Sequence, residues 1–430
     1  MVSSDQNKLG FYYRPDDQHY SQADLHNWLS VLKNLQIGWL VLRGSQDQLL
    51  PQPFIQGLQL AGIEPVVHLP VRLPDLDPAA IESLLPSYAD WGIRHVVIGD
   101  RPNLRSMWKA SEWARGGLVE QFLDKFLPIW SAQVKYGFHP VFPALEPGGD
   151  YWDTAFLTSC LKSLQRRSQA ELANELILAT YAWSYGKPLD WGAGGPSAWP
   201  ESKPYQTPEG SQDQLGLRIV DWYASISRGS IGSELKMLVL GGGVHPDDRS
   251  TAGQDVTAEI HANLARDIFM SRYSDNLVSF CFYALTAAPD QDHVGWYDKN
   301  LAGSKSAEAL ERLMLAVPEP KPVSSPIKPI ANYVLLPSHA ERDLSSDWKG
   351  IEPLVMALKP VIGFSLDEAR LARQVIFIGE QDLFPNNCEQ LLREQGCKVR
   401  RFSNPNSEEV LLAVSELAAG QPSTTGADHV

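Results

Sequence analysis

Short apolar runs alternate with amphipathic stretches along the chain from Gly10 to Leu315. The runs are Gly10–Tyr13, Trp39–Leu42, Glu64–His68, His95–Gly99, His139–Pro143, Leu176–Tyr181, Lys236–Leu240 and Leu277–Ala284. Each is nearly continuously apolar at its centre, the pattern of a strand covered on both faces. Between them, apolar positions recur at helical spacing over Asp24–Leu35, Pro53–Ala61, Ile81–Trp91, Leu118–Lys135, Trp152–Leu164, Gln212–Ser227, Ala258–Ser271 and Ser306–Leu315. Eight such units predict a parallel sheet closed into a (β/α)8 TIM barrel, an α/β fold. An open doubly wound sheet is the competing arrangement, but no phosphate-type glycine turn follows the first strand. Gly38, Gly62, Gly92 and Gly137 each separate a helical stretch from the next strand, where a left-handed C-terminal cap is expected.

The rhythm ends near Val317, which bounds the predicted barrel at residues 1–317. Pro318-Glu319-Pro320-Lys321-Pro322 through Pro326 reads as a semi-rigid linker, residues 318–330. Beyond it, Ala331–Leu336, Gln374–Ile378 and Lys398–Phe402 read as strands, and Leu366–Arg373, Asn386–Gln395 and Ser407–Ala418 as helices. A small C-terminal α/β domain over 331–419 is expected, with residues 420–430 as a disordered tail.

Composition narrows the function classes. The chain has 430 residues and is 43% hydrophobic, enough for two cores, and its formal net charge of -14 argues against nucleic acid or an anionic membrane as partner. No apolar run approaches the roughly 20 residues that span a bilayer, and residues 1–9 lack the apolar core of a secretion signal, so a cytoplasmic location is the expectation. Cys160, Cys281, Cys388 and Cys397 show no metal-ligand spacing and are expected to be reduced. No metal or cofactor is called for.

In a barrel the chemistry gathers where strands end. Those positions hold Tyr13 and Arg14, then Arg43, His68, Asp100-Arg101-Pro102-Asn103, Glu146, Tyr181 and Trp183, Gly241–His245, and Tyr283. Aromatic faces beside hydrogen-bonding groups suit sugars, whose C–H faces pack on rings while their hydroxyls need partners. His245 with Asp247 and Asp248 is either a weak metal candidate or a turn leading into a helix. Trp191 and Trp199, in the Gly/Pro-rich loop after the sixth strand, either line a cleft or anchor the loop.

The order of these residues resembles the retaining (β/α)8 glycoside hydrolases. Arg43, His68, Tyr181 and Tyr283 match that family's pattern by type and position, and Val294-Gly295-Trp296-Tyr297-Asp298 resembles its closing segment. The resemblance implies an acid/base glutamate after the fourth strand and a nucleophilic glutamate at the end of the seventh. Here Arg101 stands at the first position, and Leu240 and Gly241 at the second. A guanidinium does not give up its proton in a protein, and glycine has no nucleophile, so the expectation is a non-catalytic barrel that binds carbohydrate or another small polar ligand. Its expected ligand contacts are Tyr13, Arg43, His68, Arg101, Asn103, Tyr181, Trp183, His245, Tyr283 and Trp296. Two alternatives stay open: an active hydrolase using the relocated carboxylates Glu146 and Asp100, and a scaffold whose mouth binds a protein. The C-terminal segment Val375-Ile376-Phe377-Ile378-Gly379 with Gly396-Cys397 resembles a single cell-wall-binding repeat of the second type, which implies an auxiliary domain able to engage a protein partner.

Overall fold

A computed structural model describes residues 7–249, 253–287, 294–316, 328, 330–337, 344–384 and 387–403. The chain divides into two compact units, Met1–Val317 and Pro318–Val430. Most of the proline-rich stretch, the Ser407–Ala418 helix and the 420–430 tail foreseen above lie outside the described residues.

The first unit is an eight-stranded, all-parallel α/β barrel. Its strands are β1 (Leu9–Tyr12), β2 (Trp39–Arg43), β3 (Glu64–Leu69), β4 (His95–Ile98), β5 (Val141–Phe142), β6 (Ile177–Trp183), β7 (Lys236–Gly243) and β8 (Leu277–Tyr283). Hydrogen-bonded neighbours run β4-β3-β2-β1-β8-β7-β6-β5. Two layers of core follow from strand alternation. Val41, Val66, Val97, Val141, Ile177, Ala179, Leu238 and Leu240 fill the barrel with Tyr12, Trp39, Tyr181 and Trp183. The alternate residues, among them Phe11, Leu40, Val67, Val96, Phe142 and Phe280, pack outward under the helices.

The seam between β4 and β5 is closed differently. Pro140 and Pro143 flank β5 and have no N–H to donate, which confines it to two residues rather than the five expected. Helix Leu118–Lys135 supplies the missing bonds: fully buried Gln133 donates to Val96 O (2.6 Å) and accepts from Val141 N (3.3 Å), while Trp130 Nε1 donates to Val141 O (2.9 Å). Past the strand ends Arg101 N donates to Ala144 O, 2.8 Å away, so the barrel is almost closed.

Helix ends show the local chemistry. Ser21 and Asp24 form a reciprocal capping box that starts helix Gln22–Asn34. Gly62, Gly92 and Gly137 adopt the left-handed conformation expected of them, but before β2 that role falls to Gln36 rather than Gly38. Helix Ile219–Ile231 begins seven residues later than the Gln212 predicted, because the preceding segment is drawn into the β6 loop. There Asp213 accepts from Lys187, Trp191, Thr207 and the Leu215 N–H.

The second unit holds a four-stranded parallel sheet ordered β10-β9-β11-β12, from β9 (Ile330–Leu335), β10 (Val361–Gly363), β11 (Ala372–Ile378) and β12 (Lys398–Phe402). Helix Leu344–Leu358 and strand β10 were not foreseen. Leu366–Ala369 is a single turn, since the chain must extend into β11 from Ala372. Tyr333, Val375 and Phe377 are buried on one face of the sheet, Val334, Ile376 and Ile378 on the other.

Candidate functional site

The mouth of the barrel is built from consecutive strand ends. At β1 the inward position belongs to Tyr12, not Tyr13. Tyr13 lies one residue on and so turns to the opposite face, packing with Tyr20, Trp28 and Phe54 while its hydroxyl donates to His19 O. On β2 and β3, Arg43 and His68 are in register and share the inward face. His68 is buried, and desolvation pulls its pKa below the ordinary value, so the ring is neutral. Its Nε2 lies 3.3 Å from Gly99 O, which can only accept; the proton therefore sits on Nε2, and Nδ1 accepts from the Tyr12 hydroxyl at 3.0 Å.

After β4 the chain turns twice in left-handed geometry, at Gly99 (φ 76°) and at Arg101 (φ 43°). The first turn suits glycine, whose added Cβ would meet Phe126 at 3.0 Å. The second is uncommon for a residue with a side chain. It holds the guanidinium beside Asp100, with Nε 2.9 Å from Oδ2, and within 3.5 Å of Glu146 Oε2 from the β5 loop. The other oxygen of Asp100 accepts from Tyr181 at 2.9 Å. One arginine thus joins the two carboxylates proposed as relocated acids. Asp100 is 7% exposed and both its oxygens are occupied. Glu146 is held above the usual carboxylate range by burial, with the attraction of Arg101 opposing.

The wall opposite is aromatic. Tyr181 and Trp183 of β6 stack with ring centres 5.8 Å apart and planes 10° from parallel, and Tyr283 stands edge-on to Trp183 at 6.0 Å. Tyr12 lies 5.1 Å from Tyr283, and His245 packs edge-on against Trp183 at 5.1 Å. A register shift at Thr180/Tyr181 brings Gly241 of β7 beside Tyr181, so Leu240 and Gly241 both face inward. A Cβ on Gly241 would meet Trp183, Tyr181 and Tyr283 each at 3.3 Å. The space a seventh-strand side chain would use is occupied by rings.

Besides Tyr13, two further expected ligand contacts lie elsewhere. Asn103 is fully buried between loops, donating to Glu146 O (2.8 Å) and Tyr151 O (2.9 Å) and accepting from Glu146 N (2.8 Å). Trp296 is buried beneath the strands against Phe11, Phe282 and His261. Trp191 and Trp199 anchor their loop, donating to Asp213 and Ala193 O. Arg14 pairs with Asp16. His245 accepts from Asp247 N as a helix cap, and no group of three or more ligating side chains exists among the described residues.

Sequence reasoning missed Tyr12, Tyr185 and Arg249. Phe11 and Tyr13 share an outward phase, which leaves Tyr12 inward; that alternation was the available signal. Tyr185 stacks on His245 at 6.4 Å. Arg249 donates to the carbonyls of Val244, Tyr283 and Val294, and desolvation lowers its pKa to about 10. The loop after β7 gives no sequence cue that its arginine folds back onto β8.

No family model matches the chain, and no curated protein matches it in sequence. Among solved structures it is similar to a family 39 glycoside hydrolase from Bacteroides cellulosilyticus WH2, with 12% identity, a TM-score of 0.49, and 72% of this chain and 64% of that one covered. It is also similar to a GH128 endo-beta-1,3-glucanase from Pseudomonas viridiflava (16% identity, TM-score 0.45, coverage 72% and 98%). A GH5_18 protein from Bifidobacterium longum subsp. infantis gives 10% identity, TM-score 0.48, and coverage of 94% and 99%.

Proposed function

We propose that this protein is a non-catalytic, glycosidase-like barrel that binds carbohydrate at its mouth. One observation carries the reading: Arg101 is paired with both Asp100 and Glu146, while the inward side of Gly241 is filled by Tyr181, Trp183 and Tyr283. Retaining hydrolysis needs one carboxylate free to attack and a second about 5–5.5 Å away that delivers a proton. Here both carboxylates serve one cation, and β7 has no carboxylate to offer. The binding half of the site is intact in kind. The rings of Tyr181, Trp183 and Tyr283 stand together with the polar groups of Arg43 and Tyr12, the mixture that sugar recognition uses.

Calorimetric titration of the full chain against a glycan panel tests this reading. Saturable binding without turnover is the expected result, and no binding across the panel removes it. A second reading, an active hydrolase, is favoured by the raised pKa of Glu146, a property of proton donors. Aryl-glycoside hydrolysis that vanishes in Glu146→Gln establishes that alternative and overturns the first.

A further inference from the structure

We infer that the ligand of this mouth is a carboxylate-bearing sugar, a uronate, whose acid group pairs with Arg43. The inference rests on the carbohydrate reading above and adds the ligand's charge.

It follows from how the charges are distributed. Asp100 gives one oxygen to Arg101 and the other to Tyr181, and Glu146 gives Oε2 to Arg101. Both inward carboxylates are therefore committed to the same guanidinium. Arg43 keeps the inward face of β2, in register with His68, and its charge is felt at Tyr12, His68 and Tyr283, as is that of Asp100. His68 is neutral, and burial keeps all three groups from gaining charge. No carboxylate pairs with Arg43 among the described residues. A half-buried cation without a counter-ion is an unfavourable arrangement that an incoming anion relieves. Across the barrel Gly241 supplies no acid in its place.

The shape of the walls selects the kind of anion. A guanidinium matches a planar carboxylate through two parallel bonds, and the rings of Tyr181, Trp183 and Tyr283 stand in the same mouth. A sugar acid combines both features in one residue. The Tyr283 hydroxyl has no hydrogen-bond partner among the described residues, and the Tyr12 hydroxyl, which donates its hydrogen bond to His68 Nδ1, has only lone pairs left to offer. Both hydroxyls can therefore accept from sugar hydroxyls, and that of Tyr283 can also donate.

The test uses the full chain in calorimetric titrations at fixed ionic strength. The probes are uronate-containing oligosaccharides, the same oligosaccharides after carboxyl reduction, and sugar phosphates. Acidic sugars are expected to bind about 10- to 100-fold more tightly than their reduced forms, the range for a hydrogen bond to a charged group. Arg43→Gln should abolish the difference between acidic and reduced forms, whatever it does to the affinity for the reduced forms, and Arg43→Lys should retain part of that difference. Circular dichroism verifies that both variants fold. Equal affinity for acidic and reduced sugars, or a preference surviving in Arg43→Gln, overturns the inference and leaves carbohydrate binding standing. Tighter binding of sugar phosphates than of uronates overturns the assignment to a carboxylate. No binding in any arm removes both readings together.

Discussion

Gly241→Ala tests whether the seventh-strand position is closed. Two effects of opposite sign compete. Alanine restricts the unfolded chain, which stabilises by about 0.4–1 kcal/mol where the native backbone tolerates a side chain. Gly241 meets that condition, because its φ lies outside the left-handed region. Against this, the new methyl group meets Trp183, Tyr181 and Tyr283 at 3.3 Å, inside the roughly 3.5–4.0 Å of favourable carbon contacts. All three rings pack on one another or on their neighbours, so relief of the crowding has to move several side chains together. Overpacking of this kind costs about 1–3 kcal/mol. The crowding wins, and a net loss of about 0.5–2 kcal/mol is expected. Urea titration followed by far-ultraviolet circular dichroism reads the change as a lower midpoint. Gly229→Ala is the internal control: Gly229 lies in helix Ile219–Ile231 with open space around its Cβ direction, so that variant should gain about 0.5–1 kcal/mol. A Gly241→Ala protein as stable as its parent, or more so, refutes the claim that rings close this position. The case against a nucleophile from β7 then rests on sequence alone.

Three further outcomes follow from the same geometry. Glu146→Gln should stabilise the protein at neutral pH: the native carboxyl pKa is raised, so the native state holds its proton more tightly than the unfolded chain, and stability is lost as pH rises above the ordinary value of 4.5. The advantage of the glutamine variant should therefore vanish below that pH, and a pH series of thermal melts with no such dependence contradicts the burial argument. Arg101→Met leaves Asp100 with Tyr181 as its remaining partner; because the arginine is 43% exposed and water can replace part of it, the loss should be about 1–3 kcal/mol rather than that of a fully buried pair, measured by urea titration. Gln133→Leu strands Val96 O and Val141 N at the seam and should cost about 2–5 kcal/mol, with hydrogen exchange accelerating first at β4 and β5; unchanged protection there counts against the role given to that amide.

The barrel was legible because its strands are apolar on both faces. Trp39–Leu42 and Lys236–Leu240 read as buried runs without knowledge of their neighbours, and the structure extends them only to Arg43 and Gly243. The length of β5 is not legible in its apolarity, which does not reveal which N–H groups are missing; Pro140 and Pro143 do. The pairing of Asp100, Arg101 and Glu146 could be approached from sequence, since adjacent strands end side by side. Residue type does not separate Tyr13 from Tyr12, because neighbouring tyrosines differ only in the phase of the strand. Asn103 and Trp296 looked like ligand contacts by residue type, but their partners, at Tyr151 and Phe11, are set by tertiary packing.

Asn103 gives the mouth a property of its own. Its amide spends both ends on backbone groups of the β5 loop, so the gap between the two loops is fixed by neutral hydrogen bonds. The contact between Arg101 and Glu146 inherits that span rather than setting it. Neutralising either charge should thus leave the rim where it is, and substitutions at 101 and 146 report on electrostatics at constant geometry instead of on a gate swinging open.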